Sequence, residues 1–291
     1  FQATSASASS LVFSVTIPSE SIVVDRKVLI QSNLTFTLTY RNVPAGKQAF
    51  NYGMTDAFGP FPLNSLFNTV QCSINNCSIS VNLNDIFSTM LRLNNNRELY
   101  AYNSMTASMP DAQYLNYIDG NQCNNNPLAG YKNMSYDIDL APRGTHPVSA
   151  IVKQYDATGV FVSNSPVCVT TGNYFEVEIQ TVTCEPLIGL SPFIFGDPTY
   201  NKGGMLGVNS ISMVMNIDAN AKRLFRTASP YDVSIKLGTS ANSNPFADTK
   251  LLFSFLSLQP TQLVKSRCVL PFMDYPRYIS SANNALIGAK Q

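Results

Sequence analysis

The amino-acid sequence predicts a mainly β protein of antiparallel strands with one or two short helices. Charged residues make up 13% of the 291 residues, about half the share found in an average soluble chain, and Asn, Ser and Thr supply most of the polarity. Apolar and polar residues alternate over most segments, and clusters of Gly, Pro and Asn separate these segments. This composition is typical of strands and turns, because long exposed helices usually carry Glu, Lys and Arg.

The clearest element is a hairpin in residues 68–82. Its apolar side chains occupy alternate positions, and the alternation inverts across Asn75-Asn76. A two-residue turn there would pair Ile74 with Cys77 and place six apolar residues on one face. Asn tolerates the positive φ that both central positions of such a turn require. We therefore predict that Asn75 and Asn76 form the turn of an antiparallel ribbon that lies on a larger core.

A short helix is predicted directly after the hairpin, in residues 83–93, because apolar side chains recur there at helical spacing. The apolar positions are Ile86, Met90 and Leu93, with Phe87 and Leu91 beside them, and the N-cap candidate is Asn84 or Asp85. Alternating patterns predict strands in residues 11–40 and again in most of the chain after residue 147.

The length and a faint internal similarity predict two β domains. Residues 28–40 and 205–217 share an apolar start, an Asn-Ser break and an alternating strand. We place the domains at residues 21–160 and 161–291. Residues 1–20 are small and polar, so we expect a flexible N-terminal arm.

Charge and hydropathy disfavour two classes of partner. The net charge is +1, and no dense cluster of Lys and Arg is present to neutralise a nucleic-acid backbone. We therefore expect no sequence-specific nucleic-acid binding. No apolar run reaches the roughly 18 residues that a membrane-spanning helix needs, so we expect no transmembrane segment.

Catalytic motifs are also missing, so we expect no enzymatic activity and no cofactor. The single histidine, His146, would have to serve any Ser-His-Asp or Cys-His arrangement. Its neighbours Pro142, Gly144 and Pro147 are typical of a turn instead. No nucleophile elbow, zinc-protease motif or phosphate-binding loop occurs.

The six cysteines contain no CxxC zinc motif, so we expect no metal site. Asp119 and Asn121 begin like a calcium loop, but Cys123 stands where an oxygen ligand belongs. A disulfide between Cys72 and Cys77 would be strained, because the two residues lie diagonally on one face of the hairpin. Buried free thiols are the preferred interpretation.

A resemblance to a known family rests on two segments. Residues 63–70 (LNSLFNTV) and 74–79 (INNCSI), followed by residues 84–87 (NDIF) and Leu91, resemble the hairpin-plus-helix signature of double jelly-roll major capsid proteins of tailless icosahedral viruses. The turn is Asn-Asn here, whereas that family often has Gly-Gly or Asn-Gly. Residues 185–193 (EPLIGLSPF), together with GMLGV and the strand at 209–217, look like the start of a second barrel.

This resemblance implies two consecutive antiparallel jelly-roll β-barrels, a double jelly roll, in residues 21–160 and 161–291. It also implies a structural coat protein in the virion capsid shell. Such proteins form homotrimers with a pseudo-hexameric outline, and these capsomers tile an icosahedral shell. The expected partners are then other copies of the chain, neighbouring capsomers and other virion proteins.

The two long loops, residues 43–62 and 94–147, are the predicted trimer contacts, because they carry many aromatic residues for loops. The candidate contact residues are Phe50, Tyr52, Phe58, Phe61, Tyr100, Tyr102, Tyr114, Tyr117 and Tyr131. The alternative is that these aromatic side chains close the ends of the barrels.

Two other functions remain open at this point. One is a single jelly-roll viral capsid protein with a protruding domain. The other is a secreted carbohydrate-binding or adhesin β-sandwich, which a saturable response to a sugar or to calcium would favour.

Overall fold

Two antiparallel sheets form most of the structure. The computed structural model describes residues 1–19, 21–52, 56–94, 147–196, 203–227, 229–257, 269 and 271–276. The five-stranded sheet contains, in order, β1 (Ser5–Ala6), β2 (Ser10–Thr16), β11 (Ser210–Ile217), β6 (Phe67–Ile74) and β7 (Cys77–Val81). The six-stranded sheet contains β9 (Phe161–Ser163), β8 (Ser149–Tyr155), β10 (Tyr174–Pro186) and β4 (Leu29–Arg41), and both β13 (Asp232–Leu237) and β14 (Phe246–Leu252) pair with the far side of β4.

Smaller elements connect these sheets. Two short ribbons pair β3 (Ile22–Val24) with β15 (Phe255–Ser257), and β5 (Asp56–Phe58) with β12 (Phe225–Thr227). Within the described residues, the helices are α1 (Pro62–Ser65), α2 (Leu83–Leu93) and a 3-10 turn at Ile194–Gly196. Among the helices in the described ranges, none combines the length and the hydropathy that crossing a membrane requires.

The alternation of side chains explains the central position of β4 and β10. Leu34 and Phe36 in β4, and Phe175 and Val177 in β10, are fully buried. Strand geometry sends every second side chain to the same face, so each strand presents one apolar row. These rows join the inward residues of the five-stranded sheet, such as Phe13, in one hydrophobic core.

The strands pair with partners that lie far away in the sequence. β2 pairs with β11, and β4 pairs with β10 along residues 29–40 and 175–186. β6 pairs with the other side of β11, and β8 pairs with the other side of β10. Successive early strands therefore alternate between the two sheets and each meets a late strand, which is the nested arrangement of a jelly-roll barrel.

The predicted division into two barrels at residue 160 requires correction for the described residues. Strands from both sides of residue 160 pair within each of the two large sheets. Their inward side chains, from Leu11 to Leu251, belong to a single core cluster. The internal similarity of residues 28–40 and 205–217 reflects two long strands of one barrel, because β4 and β11 supply one central strand to each sheet.

The predicted flexible arm is also wrong for most of residues 1–20. β1 and β2 belong to the five-stranded sheet, and Leu11 and Phe13 are fully buried. The small polar residues that suggested an arm form the turn before β2, where Ser7 Oγ accepts hydrogen bonds from the backbone N–H groups of Ser9 and Ser10.

The predicted hairpin is confirmed. Ile74 pairs with Cys77, and the register continues through Cys72 with Ile79 to Val70 with Val81. The helix α2 covers the predicted residues 83–93, although its N-cap is Asn82 and not Asn84 or Asp85.

The buried face of α2 agrees with the predicted apolar positions except at Leu93. Leu83, Phe87, Met90 and Leu91 are buried, whereas Leu93 is 54% exposed. Leu93 is the last residue of the helix, and its side chain lies beyond the part of the barrel that the helix covers.

Candidate functional site

The turn between β6 and β7 is held by a side chain as well as by its backbone. Asn75 and Asn76 have φ values of 47° and 70°. The Asn75 Nδ2 group donates to the carbonyl oxygen of Gly207 at 2.6 Å, and its Oδ1 atom accepts from the N–H groups of Asn209 at 2.7 Å and Ser210 at 3.2 Å. The turn is therefore fastened to the segment that precedes β11.

An apolar groove of about 220 Å³ lies beside this turn. Its walls include Ile74 and Cys77 of the hairpin, Pro192, Met205, Val208 and Phe272. The segment that carries Phe272 is tied down by two hydrogen bonds. The Met273 N–H donates to Ser191 Oγ at 2.9 Å, and the Tyr275 hydroxyl donates to the Gly196 carbonyl at 3.3 Å.

Two of the segments that carry the family resemblance meet at a buried carboxylate. Glu185, at the end of β10, accepts hydrogen bonds from the N–H groups of Leu63 at 2.9 Å and Asn64 at 3.1 Å. The Asn64 side chain donates to Glu185 at 2.9 Å and to the Pro186 carbonyl, and accepts from the Ile188 N–H at 3.0 Å. This network joins α1 to the loop after β10.

Burial has the largest effect on the pKa of this carboxylate. Glu185 is 3% exposed, and burial raises its pKa to about 7 against the lowering effect of the hydrogen bonds from Leu63 and Asn64. No sequence pattern pairs Asn64 with Glu185, because the two residues are far apart in the chain.

Of the aromatic residues that were predicted to contact other subunits, the described phenylalanines are buried and Tyr52 is partly buried. Phe50, Phe58 and Phe61 are at most 7% exposed, and Tyr52 packs against the core. The Phe58 ring contacts the rings of Phe36 and Phe225. These contacts correct the prediction for this loop and favour the alternative, closure of one end of the barrel. Tyr100, Tyr102, Tyr114, Tyr117 and Tyr131 lie outside the described residues.

A different surface exposes large apolar side chains, at the β8–β9 edge of the six-stranded sheet. The exposed residues of this edge surface are Ile151, Val160, Phe161, Val162, Val167 and Val169, each between 40% and 61% exposed. The sequence predicted strands here but not their position at a sheet edge, because an alternating pattern does not say which strand is outermost.

A row of rings crosses the outside of the sheet to this edge surface. Arg41 lies over the Tyr174 ring at 5.0 Å, Tyr174 stacks on Tyr155 at 5.3 Å, and Tyr155 meets the edge of Phe161 at 6.1 Å. Cross-strand aromatic pairs stabilise a sheet. The row therefore fixes the position of Phe161 at the edge.

The remaining candidate ligands do not form a site in the described part of the chain. No group of three or more His, Cys, Asp or Glu side chains is placed to hold a metal there. Asp119, Asn121 and His146 lie outside the described residues. Cys72 and Cys77 are both free thiols, and Cys72 is buried as expected, whereas Cys77 is exposed because it lies next to the turn. Burial raises the pKa of Cys72 to about 12.

Comparisons with known proteins all indicate viral capsid proteins. The sequence model of the Sputnik virophage major capsid protein 1st domain matches residues 1–256. A Sputnik virophage protein whose name assigns it to the capsid is 23% identical over 290 residues, which are 98% of this chain and 44% of that protein. The chain thus spans less than half the length of this relative.

Two solved structures share the fold. The cryo-EM structure of the Sputnik virophage has a TM-score of 0.55 and 21% identity, over 88% of this chain and 45% of the matched chain. The crystal structure of the mavirus major capsid protein has a TM-score of 0.54 and 10% identity, over 90% and 47%. Since the family match covers nearly all of the barrel described above, this chain belongs to the family of the Sputnik virophage major capsid protein first domain.

Proposed function

We propose that this chain supplies one jelly-roll barrel to a double jelly-roll major capsid protein of the virion shell. The observation that carries the proposal is the nested pairing of β2 with β11 and of β4 with β10, within the residues that the family match covers. The role is structural and not enzymatic.

The second barrel of the proposed double jelly roll is a separate unit from the one described. The family description refers to a first domain, and this chain covers 44% of the Sputnik protein. Three two-barrel proteins then form a homotrimer of six barrels with a pseudo-hexameric outline. Such capsomers tile an icosahedral shell, with other virion proteins as further partners.

The one-barrel alternative, a single jelly-roll capsid protein with a protruding domain, shares the nested pairing. The family match favours the two-barrel protein, because its description calls the matched region a first domain. A carbohydrate-binding sandwich has no comparable support from the comparisons.

We place a subunit contact of this capsomer at the β8–β9 edge surface. Exposed apolar side chains beside an outermost strand favour association. Phe161 is 52% exposed, and its position is fixed by the aromatic row. The loop aromatics Phe58 and Phe61 are buried and cannot reach a neighbour without opening the core.

Native mass by light scattering, combined with negative-stain images, tests this function. For a capsid protein that carries both barrels, we expect particles of three chains with a hexagonal outline. Phe161→Ser removes the ring from the edge surface and should weaken trimer formation at least tenfold, at an unchanged melting temperature to within a few degrees.

Leu93→Ser is the matched control, because Leu93 is 54% exposed at the end of α2, away from this edge. It should assemble like the wild type. A wild-type protein that stays monomeric at all concentrations would contradict the capsomer. Equal assembly by both variants would contradict only the edge surface.

A further inference from the structure

The loop after β10 is buried along nearly its whole length. Residues 187–196 (LIGLSPFIFG), which we call the inner loop, are all buried except Ile194, which is partly buried. Loops usually run over the surface, because buried backbone groups need hydrogen-bond partners. The inner loop lies so close to α2 that a Cβ atom at Gly189 would come within 2.5 Å of the Leu83 side chain. The loop therefore belongs to the core and leaves no room for water beside the helix.

Hydrogen bonds from both sides hold the inner loop closed. On one side the Ile194 N–H donates to the Arg26 carbonyl at 3.0 Å, and the buried Arg26 guanidinium donates to the Pro192 carbonyl. On the other side Asn94, which follows α2, donates to the Phe195 carbonyl at 3.1 Å. These bonds satisfy backbone groups that would otherwise be buried without a partner.

The inner loop in turn holds residues 271–276 against the barrel. Two hydrogen bonds attach this segment to the loop, one from the Met273 N–H and one from the Tyr275 hydroxyl. Phe272 of the segment and Pro192 of the loop line the same apolar groove. The position of residues 271–276 therefore depends on a closed inner loop.

The start of the inner loop is fastened to α1 through the Glu185 carboxyl group. Asn64 donates to Glu185 and to the Pro186 carbonyl, and accepts from the Ile188 N–H at 3.0 Å. Glu185 is 3% exposed, and its oxygens also accept from backbone N–H groups of α1. Water can therefore reach this carboxyl group only if the inner loop or α1 moves.

No charged side chain of the described residues compensates a negative charge at this position. Residues 62–65 and the inner loop contain no ionisable side chain, and the residue of β4 opposite Glu185 is Ile30. Lys250 of β14 acts on the neighbouring Cys184 thiol, whose pKa burial raises. Burial and the hydrogen bonds from α1 determine the pKa of Glu185, with no contribution from Lys250 or from the Arg26 guanidinium.

We propose that Glu185 is a pH-sensitive switch of the inner loop, which is closed on α1 when Glu185 is protonated and opens to release residues 271–276 when Glu185 is ionised. Ionisation leaves an uncompensated charge in the core, and an open loop removes this cost by admitting water. Because burial raises the pKa of Glu185 to about 7, the loop opens as the pH rises through neutrality. The switch belongs to the barrel itself and does not depend on the proposed capsomer.

Hydrogen–deuterium exchange of the 291-residue chain between pH 5 and pH 8, corrected for the intrinsic exchange rate at each pH, tests the switch. The probes are five amides of the inner loop that donate hydrogen bonds, those of Ile188, Gly189, Phe193, Ile194 and Gly196. With a pKa of about 7 in the closed loop and 4.5 in the open loop, the opening equilibrium should increase on the order of 50-fold over this range. The amides that pair β4 with β10 should remain at least tenfold better protected than the loop amides at pH 8.

Glu185→Gln removes the ionisable group, so the protection of the inner loop should stay nearly constant from pH 5 to pH 8. Glu178→Gln is the matched control. Glu178 lies on the same strand, but its carboxylate bonds to Lys153 at 2.9 Å and does not contact the loop. This variant should reproduce the increase of the wild type.

The wild-type protein alone can overturn the proposal. Loop amides with equal protection at pH 5 and pH 8 would show that no group opens the loop in this range. Loop amides that exchange as slowly as the β4–β10 amides at every pH would show that only global unfolding responds to pH. A Glu185→Gln variant that keeps the wild-type increase would also contradict the switch, because another group would then cause the opening.

Discussion

The buried carboxylate of Glu185 is the residue that most directly links the chemistry of one side chain to the stability of the barrel. It accepts three hydrogen bonds from α1 and Asn64, and these bonds favour the charged form. Desolvation outweighs them and raises the pKa to about 7. The fold therefore binds a proton at Glu185 more tightly than the unfolded chain does.

This raised pKa predicts a stability that falls as the pH rises. The contribution of protonated Glu185 is fully present below its unfolded pKa of 4.5 and is lost as the pH rises through about 7. Between pH 5 and pH 8, we expect the free energy of unfolding to decrease by about 2 to 3 kcal/mol from this group. Urea unfolding at a series of pH values measures the change.

Glu185→Gln separates this effect from all other titrations, because the amide keeps an acceptor and cannot ionise. We expect the variant to be less stable than the wild type at pH 5 and to lose most of the decrease between pH 5 and pH 8. A variant that keeps the full wild-type slope would show that other groups cause it.

Among the elements, the β6–β7 hairpin shows why the turn is Asn-Asn and not Asn-Gly or Gly-Gly. Positive φ alone would favour Gly at either position. The Asn75 side chain makes three hydrogen bonds, to Gly207, Asn209 and the first residue of β11, Ser210, whereas Asn76 contributes its φ of 70° to the turn. Asn75 therefore fixes the hairpin to its neighbouring strand.

Replacement by Gly distinguishes these two roles. Asn75→Gly keeps the turn but removes the three side-chain hydrogen bonds, and because the site is exposed we expect a loss of about 1 kcal/mol. Asn76→Gly should change the free energy of unfolding by less than about 0.5 kcal/mol. Chemical denaturation of both variants gives the comparison, and equal effects would contradict a special role for Asn75.

Local elements could be predicted from the sequence, because their determinants lie within a few residues. The alternation around Asn75 gave the register from Val70 to Val81, and apolar spacing gave the bounds of α2. The buried face of α2 was predicted less well. The exposure of Leu93 depends on where the barrel surface ends, and the helix sequence does not contain that information.

At the scale of the whole molecule, the number of barrels could not be predicted from pattern and length. The strands were predicted correctly from their local patterns. These patterns do not determine which late strand pairs with which early strand. The repeated pattern at residues 28–40 and 205–217 suggested two domains, whereas β4 and β11 lie in one barrel. Likewise, the aromatic residues before Pro62 suggested a surface, but the nested strands enclose them.

Because the described strands form one barrel, we expect that no fragment cut near residue 160 folds on its own. Residues 1–160 lack β10, the partner of β4 along residues 29–40, and also lack β11, which joins β2 to β6. We expect the fragment 1–160 to show no cooperative unfolding and no dispersed NMR spectrum. The 291-residue chain should unfold in a single calorimetric transition. A folded 1–160 fragment would contradict the single core.

The nested pairing also determines when the early strands can pair during synthesis on the ribosome. Leu11 of β2 pairs with Met215 of β11, so the first long strand waits for about 200 further residues to be synthesised, on the order of 10 to 40 seconds at typical translation rates. During this interval the apolar row of β2 has no sheet to join. The nascent chain must therefore keep this apolar row from contacting the nascent chains of neighbouring ribosomes on the same message.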